Sequence, residues 1–262
     1  MLALGLAGRM AGISGIGAED AATLDRYGTA WRKIPKLSEQ YFTRASLLAA
    51  NPDFVLAGYR YGFAMPGSDG VTPKRLRELG IPSYAIRESR PDRSGASTLR
   101  DTYADIRAVA RIFDVTARAE RLVGRMKRRV GAAAARAHKH EPVSVFVYDS
   151  GRATPVTAAG TAVLTDIIAR AGGRNILAGL RKSWTTVSWE QVVTRRPELI
   201  VIVDYGDVSA EQKRHFLETN PATRDLPAVR NGNIVVLPYA DVTPGPGNVR
   251  AVEELARAFT GR

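Results

Sequence analysis

The sequence predicts an α/β protein of two lobes joined by one long helix. Three observations predict it: strand-sized apolar runs alternate with capped helices, the second half restarts that alternation, and a proline-free helical stretch separates the halves.

The front half carries strand-like segments at 51–58 (NPDFVLAG) and 80–86 (GIPSYAI), with a short one expected around Arg9–Ile13. Between the first two lies TPKRLRELG at 72–80, where Thr72 is placed to cap a helix, Pro73 suits its first turn and Gly80 ends it. Strand, loop, helix, strand is the grammar of a parallel βαβ unit. Two helices follow, Thr98–Phe113 and Thr116–Lys139, broken at Asp114. The second runs two dozen residues to Pro142, long enough at about 1.5 Å per residue to cross a small domain as a stiff connector.

The second half repeats the pattern with strands at 143–149 (VSVFVYD), 199–205 (LIVIVDY) and 233–239 (NIVVLPY). Helices are expected at 161–173, 189–197, near Glu211–Thr219 and from Asn248 to the end. Lobe boundaries are therefore expected at 1–115 and 141–262, with 116–140 as the connecting helix.

Composition narrows the function classes. The 262 residues hold no cysteine, which excludes disulfides, thiolate metal sites and cysteine nucleophiles. No apolar run reaches the length of a membrane span, and MLALGLAGRMAGISG lacks the basic start and cleavage site of an export signal, so the protein is expected either to stay in the cytoplasm or to have its true start upstream. The net charge of +12 raises nucleic acid, an acidic membrane surface or an anionic small ligand as partners. Much of it sits on one predicted helix, from Arg118 through Arg121, Arg125 and Arg128 to Arg136, without interleaved aromatics for base stacking, so a solvated face and no nucleic acid are expected.

The three histidines, His138, His140 and His215, have no spacing that suits a metal site, and none is expected. PGPGN at 244–248 lacks the lysine and hydroxyl of a phosphate loop and reads as a helix-capping loop. Gly172–Asn175 reads as a C-cap glycine followed by a turn. There is no GxSxG elbow and no catalytic residue is expected.

The remaining signal is a set of aromatic and polar residues just past strand ends, where open α/β sheets hold their ligands. The front half offers Tyr59, Arg60, Tyr61 and Phe63, then Glu88 and Arg90; the back half offers Tyr148, Trp184, Tyr205 and Tyr239. Rings and arginines together suit a flat or bulky, partly anionic ligand.

Five segments in order, NPDFVLAG, TPKRLRELGIPSY, AGTAVLTDIIARAGGRNIL, VSWEQVVTRRPELIVIV and LPYADVTPGPGNVRAVEELARAF, resemble the helical-backbone (class III) substrate-binding proteins of ABC importers, which serve ferric siderophores, haem and cobalamin. The resemblance covers nearly the whole chain. Within the class, GYRYGF, RDTYADI and SWTTVSWEQV resemble a subgroup for iron chelates or a deazaflavin precursor. It implies two Rossmann-like lobes joined by a single helix, a ligand in the groove between them, no catalysis and no cofactor of the protein's own. It also implies a monomer outside the cytoplasm, working with a permease and its ATPase and meeting the membrane only through docking or a lipid anchor.

Family members dock through a surface glutamate on each lobe. Glu190 stands at the back-lobe position, whereas Ala45 stands at the front-lobe position, with Glu39 a substitute only if that helix began earlier. The resemblance also implies a strand and polar turn ahead of LALGLAGRMAGIS, so the chain is expected to begin inside the first helix, with its export signal upstream. The rival reading is a two-lobed glycosyltransferase-like enzyme, for which Asp149 and Asp241 are the candidate acids.

Overall fold

The structure, a computed structural model, describes residues 1–17, 20–38, 42–58, 71–90, 93, 95–137 and 141–261. Its contacts divide the chain into two compact units: a front unit of Met1–Arg93 with Ala104–Leu122, and a back unit of Ser94–Tyr103 with Val123–Arg262.

In the front unit, β1 (Ile13–Ser14) pairs in parallel with β2 (Lys36–Ser38), and β3 (Val55–Ala57) pairs in parallel with β4 (Ser83–Ala85). Helix α1 (Ala21–Asp25) separates β1 from β2, α2 (Arg44–Ala49) precedes β3, and α3 (Pro73–Glu78) precedes β4. Thr43 and Ser46 form a reciprocal capping box on α2, and Thr72 Oγ1 accepts from Arg75 N at the start of α3 as the sequence suggests. Leu47, Val55, Ala57, Val71 and Leu76 make the core of this region.

Two expectations are corrected here. The opening segment is not a continuous helix: it forms two 3-10 turns, Leu2–Leu4 and Ala7–Arg9, separated where Gly5 adopts φ 68°. The first strand lies at Ile13–Ser14, sharing only Ile13 with the segment expected around Arg9–Ile13, and its partner at 36–38 has no β-branched residue to announce it.

The paired helices are α4 (Leu99–Ile112) and α5 (Thr116–Ala137), with Asp114 at φ 52° making the break. The start of α4 belongs to the back unit because the back unit caps it. Asp166 Oδ2 accepts from Leu99 N at 2.8 Å, and Thr161 O accepts from Ser97 N at 2.9 Å.

The back unit is built on β5 (Val143–Tyr148), β7 (Gly173–Asn175), β9 (Leu199–Asp204) and β10 (Ile234–Pro238), all parallel in the order β10-β9-β5-β7. Every residue of β5 and the first five of β9 are buried, as expected of a parallel sheet covered on both faces. β6 (Val156–Ala158) and β8 (Trp184–Thr186) form an antiparallel ribbon beyond the end of β5. The helices are α6 (Val163–Arg170), α7 (Trp189–Arg195), α8 (Ala210–Thr219), α9 (Pro227–Arg230), α10 (Tyr239–Val242) and α11 (Asn248–Thr260). The expected turn at Gly173–Asn175 is instead strand β7. Its Gly-Arg-Asn composition hides it, and Asn175 is held by donating to Ala158 O and Thr165 Oγ1.

Order fixes the site. The chain passes from β5 to β7 on one side and then returns to β9 on the other side of β5, so the direction of winding reverses between β5 and β9. In open α/β sheets that reversal opens a crevice at the carboxyl ends of the two strands.

Candidate functional site

Asp149 and Ser150 follow β5, Tyr205 follows β9 and Tyr239 follows β10, so all four sit at the carboxyl edge of the back-unit sheet. Adjacent parallel strands bring Tyr205 and Tyr239 together. Their rings stack with centroids 4.3 Å apart and planes 23° apart, and Tyr205 is 44% exposed. An exposed, stacked aromatic pair offers a large apolar face at little entropic cost to a flat partner.

Tyr148, expected at the same edge, has its ring in the interior. It is 2% exposed, packs against Trp189 and Phe216, and its hydroxyl donates to Gly151 O at 3.4 Å. Trp184 is half-buried in β8, paired in register with Ala158.

Below the tyrosine pair lies a buried ionic group. Lys213, from α8, is 1% exposed, and its Nζ donates to Val203 O at 2.8 Å and Tyr205 O at 2.7 Å. Burial lowers its pKa, while Asp149 and Asp204 oppose that shift. Asp149 is itself buried and accepts from Ser150 Oγ at 2.8 Å; burial raises its pKa against the effect of that hydrogen bond and of Lys213. Sequence reasoning missed Lys213, because a lysine among the charged residues of an amphipathic helix gives no sign that it points inward.

The glycine-rich loop leads into α11 as expected, but no side chain caps the helix; Asn248 instead ties the loop together. Asn248 Nδ2 donates to Asp241 O and Thr243 O, and its Oδ1 accepts from Gly245 N and Thr102 Oγ1. Arg250 Nε donates to Asp241 Oδ2 at 3.0 Å, and a Cβ at Gly247 would stand 2.3 Å from Asp241 Oδ1. Asp241 is thus a buried, ion-paired strut of this loop, a poor position for a general base.

In the front unit, the edge beyond β4 carries Arg87, Glu88 and Arg90. Asp105 Oδ1 accepts from Tyr84 Oη at 2.6 Å, and Asp105 Oδ2 accepts from Arg87 N at 3.0 Å. Burial, followed by the bond to Asp105, pushes the Tyr84 hydroxyl up to about 12. Burial also raises Asp105, opposed by Tyr84 and Arg87. Arg90 lies over the Tyr84 ring, its guanidinium carbon 4.8 Å from the centroid, and donates from Nε to Ala85 O. Glu88 is buried in the 3-10 turn Arg87–Ser89. Tyr59, Arg60, Tyr61 and Phe63 lie outside the described residues, as do Glu39, His138 and His140.

Glu190 is exposed in the first turn of α7, whose N-cap Ser188 accepts from Gln191 N. Ala45 is exposed at the matching position of α2, two residues past its own N-cap Thr43. No group of three or more metal-ligating side chains occurs among the described residues, and no helix among them is long and apolar enough to cross a membrane.

A wound parallel sheet with stacked rings at its carboxyl edge is an arrangement in which open α/β proteins hold small-molecule ligands. The chain belongs to the periplasmic binding protein family, whose model matches residues 3–240. It is similar to a periplasmic binding protein from Veillonella parvula, with a TM-score of 0.88 and 26% identity covering 100% of this chain and 87% of that one. A structure described as an ABC-type Fe3+-hydroxamate transport system from Saccharomonospora viridis gives a TM-score of 0.80 and 26% identity, covering 98% and 88%. Among curated relatives, the Vitamin B12-binding protein of Vibrio parahaemolyticus is 23% identical over 218 residues, which are 81% of this chain and 70% of that protein. The chain spans half the length of the Yersinia pestis relative of the same name that it matches.

Proposed function

We propose that this chain is the extracytoplasmic solute-binding component of an ABC importer, which captures a ferric siderophore or a related metal chelate or cofactor and delivers it to a permease. Haem, cobalamin and a deazaflavin precursor are the related cargoes. The stacked Tyr205–Tyr239 pair carries this reading, because it puts a wide aromatic face where wound sheets of this family type present their ligands. The relatives named for vitamin B12 and for ferric hydroxamate support a bulky chelate as cargo.

In this reading the two units are the ligand-binding lobes, the helix over Thr116–Ala137 is their connector, and Trp184, Tyr205 and Tyr239 hold the organic body of the ligand. Arg90 is the front unit's candidate for charge-assisted bonds to an anionic ligand, with Tyr59, Arg60, Tyr61, Phe63 and Glu88 as further candidates from the sequence. Glu190 makes the permease contact from the back unit, and Ala45 leaves the front unit to dock by other residues.

The test is a titration with ferrichrome, haemin, cyanocobalamin and a deazaflavin, followed by tryptophan fluorescence and calorimetry. One of these is expected to bind in the micromolar range or tighter, with Tyr205→Ala weakening it about tenfold. Failure of the whole set to bind overturns the reading.

A further inference from the structure

A lysine buried to 1% exposure demands a reason, because a methionine of similar length would fill the same space without the cost of desolvating an ammonium. The reason lies in what Lys213 holds. Its two acceptors, the carbonyls of Val203 and Tyr205, flank Asp204 at the point where β9 ends. Val203 still faces Leu237 of β10, whereas Tyr205 has left the ladder. One ammonium therefore grips the backbone on both sides of the strand's last residue, and it does so from α8, the helix that follows. Asp149, at the end of β5 across the reversal of winding, and Asp204 both favour the charged form of the lysine against its desolvation.

From this geometry we infer that Lys213 is the positioning residue of the aromatic site: it fixes the turn that carries Tyr205, and so holds the Tyr205 ring in its stack on Tyr239. Lys213 touches no ligand. Its effect on affinity passes through Tyr205, whose backbone carbonyl it holds and whose ring stacks on Tyr239. The affinity consequence rests on the binding function proposed above; the structural consequence does not.

The decisive experiment compares Lys213→Met, Lys213→Arg and Leu217→Ala. Leu217 is a fully buried residue of the same helix, so its truncation reports lost packing alone. In the first arm, protein labelled with 3-fluorotyrosine is read by fluorine NMR without ligand. Lys213→Met is expected to shift the Tyr205 and Tyr239 resonances, each assigned by its Tyr→Phe variant, and Leu217→Ala to leave both in place. Unmoved resonances in folded Lys213→Met overturn the proposal.

In the second arm, Kd is measured for whichever of ferrichrome, haemin or cyanocobalamin the wild type binds, at a temperature where every variant is folded. Lys213→Met should weaken binding by about tenfold, Lys213→Arg less, and Leu217→Ala less than about twofold. In a Tyr205→Ala background Lys213→Met should add nothing, because the ring it positions is gone. A loss of equal size in both backgrounds overturns the proposal in favour of a purely structural lysine. If the wild type binds none of the probes, the importer reading fails, and the fluorine arm alone decides the role of Lys213.

Discussion

The helix and strand that carry Ala45 in the front unit and Glu190 in the back unit follow one plan with different contents. Residues 43–57 and 188–202 correspond position by position. Each begins with a hydroxyl N-cap, Thr43 or Ser188, and each helix ends near a non-glycine residue of positive φ, Asn51 at 45° or Arg196 at 44°. Each then continues through a proline and an acid, Pro52–Asp53 or Pro197–Glu198, into a parallel strand. The contrast lies in what the plan is anchored to. Trp189 packs on Phe146, Tyr148 and Phe216 and donates to Arg152 O at 2.7 Å, where the front unit has exposed Arg44. β9 has six residues in a four-stranded sheet, while β3 has three in a two-stranded pair. The same local instructions thus yield a long, almost wholly buried strand only where a wide sheet receives them, and the stacked tyrosines stand at the edge of that sheet.

The sharpest way to break this comparison is at the first helical position. Trp189→Ala should cost about 3–5 kcal/mol, the usual range for a large aromatic leaving a core, while Arg44→Ala should stay within about 0.5 kcal/mol. Urea unfolding followed by far-UV circular dichroism reads both, and equal costs would remove the asymmetry. Next come the caps. Ser188→Ala and Thr43→Ala are each expected to lose about 1 kcal/mol, since each hydroxyl accepts from the backbone N–H three residues on. A cost at only one of them would show that the shared plan does not extend to its energetics.

The left-handed positions give a smaller and opposite effect. Arg196→Gly should gain roughly 0.5 kcal/mol by relieving a conformation that L side chains with a long stem disfavour, whereas Asn51→Gly should be near neutral, because asparagine tolerates it. Thermal unfolding would resolve the difference as a rise in Tm for the first variant alone.

The smallest effects belong to the ion pairs that tie α5 to its neighbours, Arg107–Glu120 in the front unit and Arg129–Glu253 in the back. Both are largely exposed, so each should contribute a few tenths of a kcal/mol and fade in salt. The hydrogen bond from Arg129 holds the Glu253 carboxyl below its ordinary value. Its share of stability is therefore present above the unfolded carboxylate pKa and lost as pH falls through the folded one. A Glu253→Gln variant should approach wild type below about pH 4 and fall slightly short of it at neutral pH.

Much of the fold was legible because local rules agreed with the global answer. The cap at Thr72, the break at Asp114 and the buried runs at 143–148 and 199–203 all announce themselves in composition. The short pieces were not legible. β2 and β7 consist of Lys-Leu-Ser and Gly-Arg-Asn, residues that become strands only because a neighbouring strand offers them a ladder. The opening segment looked helical and is broken by Gly5, whose left-handed backbone no period of apolar residues reveals.

The site divides along the same line. By itself the sequence determined the alternation of strand and helix and the presence of aromatic residues just past strand ends, because those follow from residue type and spacing along the chain, while the class of protein came from its resemblance to a known family. Only the tertiary structure decided which of them meet. Tyr205 and Tyr239 stack because β9 and β10 are neighbours, Tyr148 turns inward because its side of the sheet is covered, and Lys213 is buried because α8 lies across the strand end. Strand order and helix orientation are set by long-range burial, a cooperative quantity that no short window of sequence contains.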